Sequence, residues 1–294
     1  MLCCGIRVAM IACAFAGTFL LGHAAGAEHR NVPRAGESLT YRIIVTTTLK
    51  TATGPKDQST GWNYIYHVRS SDDHTADGTI ELTTVYSAPN CPPNACDAVR
   101  REMAQLKARK EGAFYAVDIP AEVTRALTKL SAFRWRHFIP ELTQVPLPNM
   151  RTGSGKVEFD PTAAQVQLTR LDCDKAALES FFPIGKSRRV SVPCTQSGER
   201  SQAGRPMTGT RFRKQEITFD ISYEGPSNVT TPVGEWPVQK IRMTSSRPKS
   251  PVDWQTEIFF SEQLGAIVKE HSVTTMATSS VSVQNDRELI AVSQ

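Results

Sequence analysis

The residue types best suited to chemistry in this chain are basic clusters, scattered histidines and cysteines. Arg134-Trp135-Arg136-His137 interleaves an indole with positive charge, and Lys186-Ser187-Arg188-Arg189 and Arg211-Phe212-Arg213-Lys214 follow. Guanidinium groups make bidentate, charge-assisted hydrogen bonds to phosphate. Arg134, Trp135 and Arg136 are therefore candidate ligand-binding residues, suited to a phosphate-bearing lipid or lipopolysaccharide. The competing explanation is a solvated surface with snorkelling stems. His67, Asp72, Asp73 and His74 are the only local cluster of metal-ligand types, and a solvated β-turn accounts for it. No H-E-x-x-H or histidine pair at i, i+4 exists, so no metal site is expected.

Nucleophilic signatures are also missing. There is no G-x-S-x-G elbow. Gly153-Ser154-Gly155-Lys156 fails the phosphate-loop pattern, because Val157 follows the lysine. No cofactor and no catalytic residue is assigned. An enzyme would have to assemble its site from residues far apart in sequence, as an envelope hydrolase could. The formal net charge of +5 is too small to argue for nucleic acid.

Export is the firmest expectation. Arg7 precedes an apolar run from Val8 to Leu21, and Ala25-Gly26-Ala27 supplies a small-x-small cleavage pattern. The run is shorter than the ~20 residues a membrane span needs. Residues 1–27 are expected to leave as a signal peptide, and no later stretch is apolar enough to cross a bilayer. Of seven cysteines, Cys91, Cys96, Cys173 and Cys194 would remain. An even number in an exported chain points to disulfides. Three connectivities are possible. The simplest is Cys91–Cys96 with Cys173–Cys194, since each pair brackets a turn-rich segment.

The elements that must position these residues fall into three blocks. Tyr41, Ile43 and Val45, then Trp62, Tyr64, Tyr66 and Val68, then Ile80, Leu82 and Tyr86 mark period-two strands. The middle is more helical. Val99, Met103 and Leu106 share a helical face behind a candidate cap at Asp97. A second helix is expected from Pro120, with Val123, Leu127 and Leu130, and a third over Asp174 to Phe181. Lys186 to Met207 is expected as loop with one short strand near Val190. Alternation returns at Ile217, Phe219, Ile221 and Tyr223, turns at Glu224–Ser227, and resumes at Trp236, Val238, Ile241 and Met243. Trp254, Thr256, Ile258 and Phe260 follow, then a bend at Gln263-Leu264-Gly265 and a last strand over Arg287 to Ser293.

The expected class is α+β, mainly antiparallel β. It would be a curved or barrel-like sheet with a helical middle insertion near 97–182, in one domain spanning 28–294. Trp236, Trp254 and Phe260 are expected to be buried sheet residues.

The run from Val233 to Ile241, then Trp254 to Ser261, then Leu264-Gly265-Ala266-Ile267-Val268-Lys269 resembles a pattern in uncharacterised bacterial periplasmic proteins. In those, a glycine-led strand precedes an aromatic strand, and a Ser-x-x-Leu-Gly bend leads to a Val-Lys strand. The likeness covers roughly Thr218 to His271. It implies an exported, sheet-rich protein, distantly similar to lipoprotein-carrier-like folds in which a curved sheet wraps a hydrophobic groove. It carries no catalytic signature. The resulting expectation is a periplasmic, non-catalytic protein binding an apolar or amphipathic envelope ligand, or a partner protein. An envelope hydrolase and a structural or assembly factor are the alternatives.

Overall fold

The computed structural model describes residues 29–87, 109–111, 114–147, 150–153, 156–159, 165–202, 205–206, 212–246, 252–276 and 281–294. The proposed signal peptide and the Cys91–Cys96 pair lie outside these residues, as does most of the helix expected from Asp97.

In chain order the strands are β1 (Ser38–Thr51), β2 (Gly54–Ser71), β3 (Thr75–Ser87), β4 (Arg109–Glu111) and β5 (Phe114–Asp118), followed by α1 (Ala121–Thr128). Next come β6 (Ala132–Arg136), β7 (Ile139–Leu147), the small hairpin β8 (Met150–Gly153) and β9 (Lys156–Phe159), β10 (Gln165–Cys173) and α2 (Lys175–Glu179). The chain ends with β11 (Arg189–Gln202), β12 (Arg205–Pro206), β13 (Phe212–Thr231), β14 (Gly234–Ser246), β15 (Val252–Ser261), β16 (Ala266–Met276) and β17 (Val281–Ser293).

Twelve of these strands form a closed antiparallel barrel in the order β2-β1-β17-β16-β15-β14-β13-β11-β10-β7-β6-β3, with β3 pairing back onto β2. The first and last strands meet, from Ser38 opposite Ser293 to Leu49 opposite Val281. Closure removes the exposed edges that an open curved sheet would leave.

The helical middle is corrected by this sheet. Only α1 and α2 are helical among the described residues between 109 and 182, and β6, β7 and β10 belong to the barrel. Both short helices fall where their signals placed them. Asp174 caps α2 by accepting from the Ala177 N–H at 3.0 Å, and Val123 and Leu127 bury one face of α1. The expected loop from Lys186 to Met207 is instead mostly the fourteen-residue β11, hydrogen-bonded to β10 on one side and β13 on the other. The turn expected at Glu224–Ser227 is a kink inside β13. The register with β14 shifts between Tyr223 and Gly225, and Gly225 takes φ +122°. Gly234 and Gly265 have the positive φ their turns require, +125° and +63°. A Cβ on Gly265 would come within 2.1 Å of the Val32 carbonyl oxygen.

Alternation along the strands sorts the faces. Tyr41, Leu289, Val268 and Ile258 point inward and are buried. Outside, Arg42 pairs with Glu288, and Lys240 and Arg242 share Glu224 and Glu257. An apolar interior and ion-paired exterior invert the pattern of a transmembrane barrel. No described helix is long and apolar enough to cross a membrane. The core is two clusters. One gathers β1–β3, α1 and β6 around Tyr66 and Phe133. The other gathers β10, α2, β11 and β13–β16 around Phe181 and Phe260. Of the three aromatics expected to be buried, only Phe260 is fully covered; Trp236 and Trp254 are partly exposed.

Cys173 and Cys194 face each other across β10 and β11 and form a disulfide inside the second cluster. The bridge closes a loop with a sequence separation of 21, so reducing it or replacing both cysteines by serine should cost about 3 kcal/mol. Urea unfolding of the oxidised and reduced protein measures this. Equal midpoints would mean that the bridge is absent or without weight.

Candidate functional site

The cluster Arg134-Trp135-Arg136-His137 spans the end of β6 and its turn into β7, and the structure disperses it. Arg134 points outward, its Nε donating to Asp77 at 2.7 Å on β3. Trp135 turns inward and lies against Phe133 and Tyr66, with ring centroids 4.5 and 4.9 Å away. Arg136 is nearly buried and bonds Glu141 at 2.7 Å and Glu179 at 3.1 Å. Both arginines are thus paired with carboxylates, and of the cluster Trp135 and His137 reach the internal site described next.

No motif or spacing singles out His137 from its neighbours in the sequence. It is the one described non-glycine residue with positive φ, +54°, a conformation costing bulky residues up to a few kcal/mol. The tight β6–β7 turn requires it, and its backbone N–H donates to the His74 carbonyl at 3.0 Å. Its ring stacks on Phe182 at 3.6 Å and lies edge-on to His74 at 5.7 Å. The residue is 1% exposed, and neither ring nitrogen has a hydrogen-bond partner. Burial drives its pKa down to about 3, assisted by the like charges of His74 and Arg136 and opposed by Asp72. The imidazole is neutral at physiological pH, with one N–H to give and one lone pair to receive.

His137 lines a pocket of about 100 Å³ between the two clusters, together with Tyr41, Tyr66, Trp135, Phe260 and Arg287. It reaches the surface beside Pro140, which is exposed. Strand geometry places the charged wall: Arg287 on β17 is directly opposite Glu270 on β16, and its Nη2 forms an ion pair with that carboxylate. The guanidinium also bonds the Tyr66 hydroxyl and lies over the Tyr41 ring, 5.4 Å from its centroid. Burial disfavours the arginine's charge, but Glu270 and the two tyrosines outweigh it and raise its pKa. Burial likewise raises both tyrosine pKa values, so the hydroxyls keep their protons. The Tyr41 hydroxyl donates to the Ile267 carbonyl at 2.8 Å. Arg287 Nε, like both nitrogens of His137, lacks a partner. Buried polar atoms are nearly always satisfied, and these three nitrogens belong to two residues that line the same pocket.

A second arrangement has the composition of a catalytic triad. The Ser38 hydroxyl bonds His67 Nδ1 at 2.9 Å, and His67 Nε2 bonds Glu81 at 2.9 Å. It lies across β1, β2 and β3, and Ser38 sits on a strand paired on both sides. The backbone amides of that strand are engaged in the sheet ladders on both sides. The three residues form a cross-strand hydrogen-bond ladder. His67 is thereby drawn away from Asp72, whose carboxylate accepts from the His74 and Thr75 N–H groups at 2.7 Å. Hydrogen bonds from Thr75 and His74 hold that carboxyl down at about 2. Among the described residues no three metal-ligating side chains converge.

The molecule is a closed antiparallel barrel with a small, electrically balanced polar pocket in its core. No protein-family model matches the sequence, and no curated protein is similar to it. Among solved structures, the hypothetical lipoprotein YmcC from Escherichia coli aligns at a TM-score of 0.36 and 7% identity, over 89% of this chain and 90% of that one. A Bacteroides fragilis protein with a YmcC-like fold, inferred to be exported, aligns at 0.33 and 12% identity, over 91% and 100%. A Parabacteroides distasonis protein inferred to be a lipoprotein aligns at 0.35 and 10%, over 90% and 99%.

Proposed function

We propose that this is an exported cell-envelope protein, periplasmic after cleavage at Ala27, that works by binding a small amphipathic ligand in the interior of its barrel. The observation that carries the reading is the pocket in which the nitrogens of His137 and Arg287 Nε are buried without partners. The leader-like pattern of residues 1–27 and the buried Cys173–Cys194 bridge support export, since disulfides persist in oxidising compartments. A carrier of whole lipids fits less well, because about 100 Å³ is below the ~300 Å³ of ordinary ligand pockets. Phosphate capture at Arg134 and Arg136 would have to displace Asp77, Glu141 and Glu179. Hydrolysis is disfavoured too: an imidazole with a pKa near 3 is a weak general base at neutral pH.

The test is to express the chain with its own leader and recover it from the periplasm. N-terminal sequencing should read Glu28-His29-Arg30. Native mass spectrometry should show a small molecule that leaves on unfolding and is absent from Trp135→Ala. A retained leader would overturn the localisation. A wild-type mass equal to the polypeptide alone in every preparation would overturn the binding role.

A further inference from the structure

We propose that the interior pocket selects an uncharged molecule of about five non-hydrogen atoms bearing both a hydrogen-bond donor and an acceptor, of the primary-amide class. This rests on the binding role proposed above and adds the chemistry of what is bound. Size comes first. A cavity of 150 Å³ suffices for benzene, so about 100 Å³ admits a slightly smaller molecule.

Charge comes second. The fixed charge of Arg287 is matched by Glu270 across the β16–β17 ladder, and His137 contributes none. An anion would enter beside the Glu270 carboxylate, and a cation beside the Arg287 guanidinium. Either would shed its hydration among Tyr41, Tyr66, Trp135 and Phe260 with no opposite charge left free. Hydrogen bonding comes third. The unpaired Nε–H of Arg287 can only donate, so it calls for an acceptor oxygen. The neutral imidazole offers one N–H and one bare nitrogen, and the bare nitrogen calls for a donor. A primary amide carries both groups on one carbon, while the aromatic walls cover its short apolar remainder.

The experiment titrates the mature full-length protein at pH 7 with three probes of nearly equal size: propionamide, propionate and propylammonium. Signals of the His137 imidazole and the Trp135 indole are followed by NMR. Propionamide should shift both saturably and bind at least tenfold tighter than either ion. His137→Phe keeps a ring against Phe182 but removes both nitrogens, and should weaken propionamide at least tenfold. His137→Asn tolerates the left-handed backbone and keeps a donor and an acceptor, so it should stay within about threefold of wild type. Equal or tighter binding of either ion at these signals overturns the charge selectivity while leaving a binding pocket in place. Silence of both signals to all three probes means that the pocket holds water alone, and overturns the binding role as well. Unchanged affinity in His137→Phe overturns the part given to the imidazole. Should that variant fail to fold, the ranking of the three probes on wild type decides.

Discussion

Lowering the pH from 7.5 to 4 is expected to remove about 3 kcal/mol of stability through His137 alone, and about 5 kcal/mol once the pH is well below 3. The sign follows from proton binding. Folded, the imidazole has a pKa of about 3, while the unfolded chain has the ordinary 6.5. Below 6.5 the unfolded state takes up a proton that the folded state refuses, so stability is complete above 6.5 and falls as pH drops toward 3. Burial is the main cause, and the groups facing the ring are His74, Arg136 and Asp72. Carboxylates elsewhere also respond to acid, so the measurement is a difference. Urea unfolding of wild type and His137→Phe is compared at pH 7.5 and pH 4. The variant should lose about 3 kcal/mol less over this interval. At pH 7.5 it should be close to wild type, because removing two unpaired polar atoms offsets the cost of a phenylalanine at φ +54°. Parallel losses in the two proteins would show that His137 is solvated or paired.

Phe260→Ala should be among the most damaging truncations in the second cluster, at about 3–5 kcal/mol. Phe260 is 0% exposed, packs 6.0 Å from Phe138 and forms part of the pocket wall. For a chain of this size that corresponds to a fall in Tm of roughly 10 °C. Trp254, six residues earlier on the same strand face, is partly exposed at the end of the cluster, edge-on to Phe219 at 5.7 Å. Trp254→Ala should therefore cost clearly less despite the larger ring, because the truncation leaves a site that water can fill. Thermal melts followed by far-UV circular dichroism rank the two. A larger fall for Trp254→Ala would mean that the second cluster is centred elsewhere.

Local periodicity determined a good part of this protein. Alternation in Ile217 to Tyr223 and in Trp254 to Phe260 is visible because a strand with one buried face must place apolar side chains two apart. The helix after Pro120 is visible because proline is favoured at a helix start, while the capping role of Asp174 emerged only in the structure. The even cysteine count pointed to disulfides but left three connectivities open, and the folded β10–β11 ladder settles Cys173–Cys194. Tertiary structure alone decided the rest. The Ser-, Gly- and Arg-rich stretch from Arg189 to Gln202 is a strand because β10 and β13 supply hydrogen bonds on both sides, overriding weak intrinsic preference. Arg134, Trp135 and Arg136 are contiguous in sequence, and strand geometry gave each a different environment. The pocket draws on β1, β2, β6, β7, β15, β16 and β17 and on the His137 turn, segments up to 246 positions apart. Nothing local in any of them records the others. Which polar atoms are left unpaired depends on where the closed sheet brings those segments together, and that is a property of the folded barrel alone.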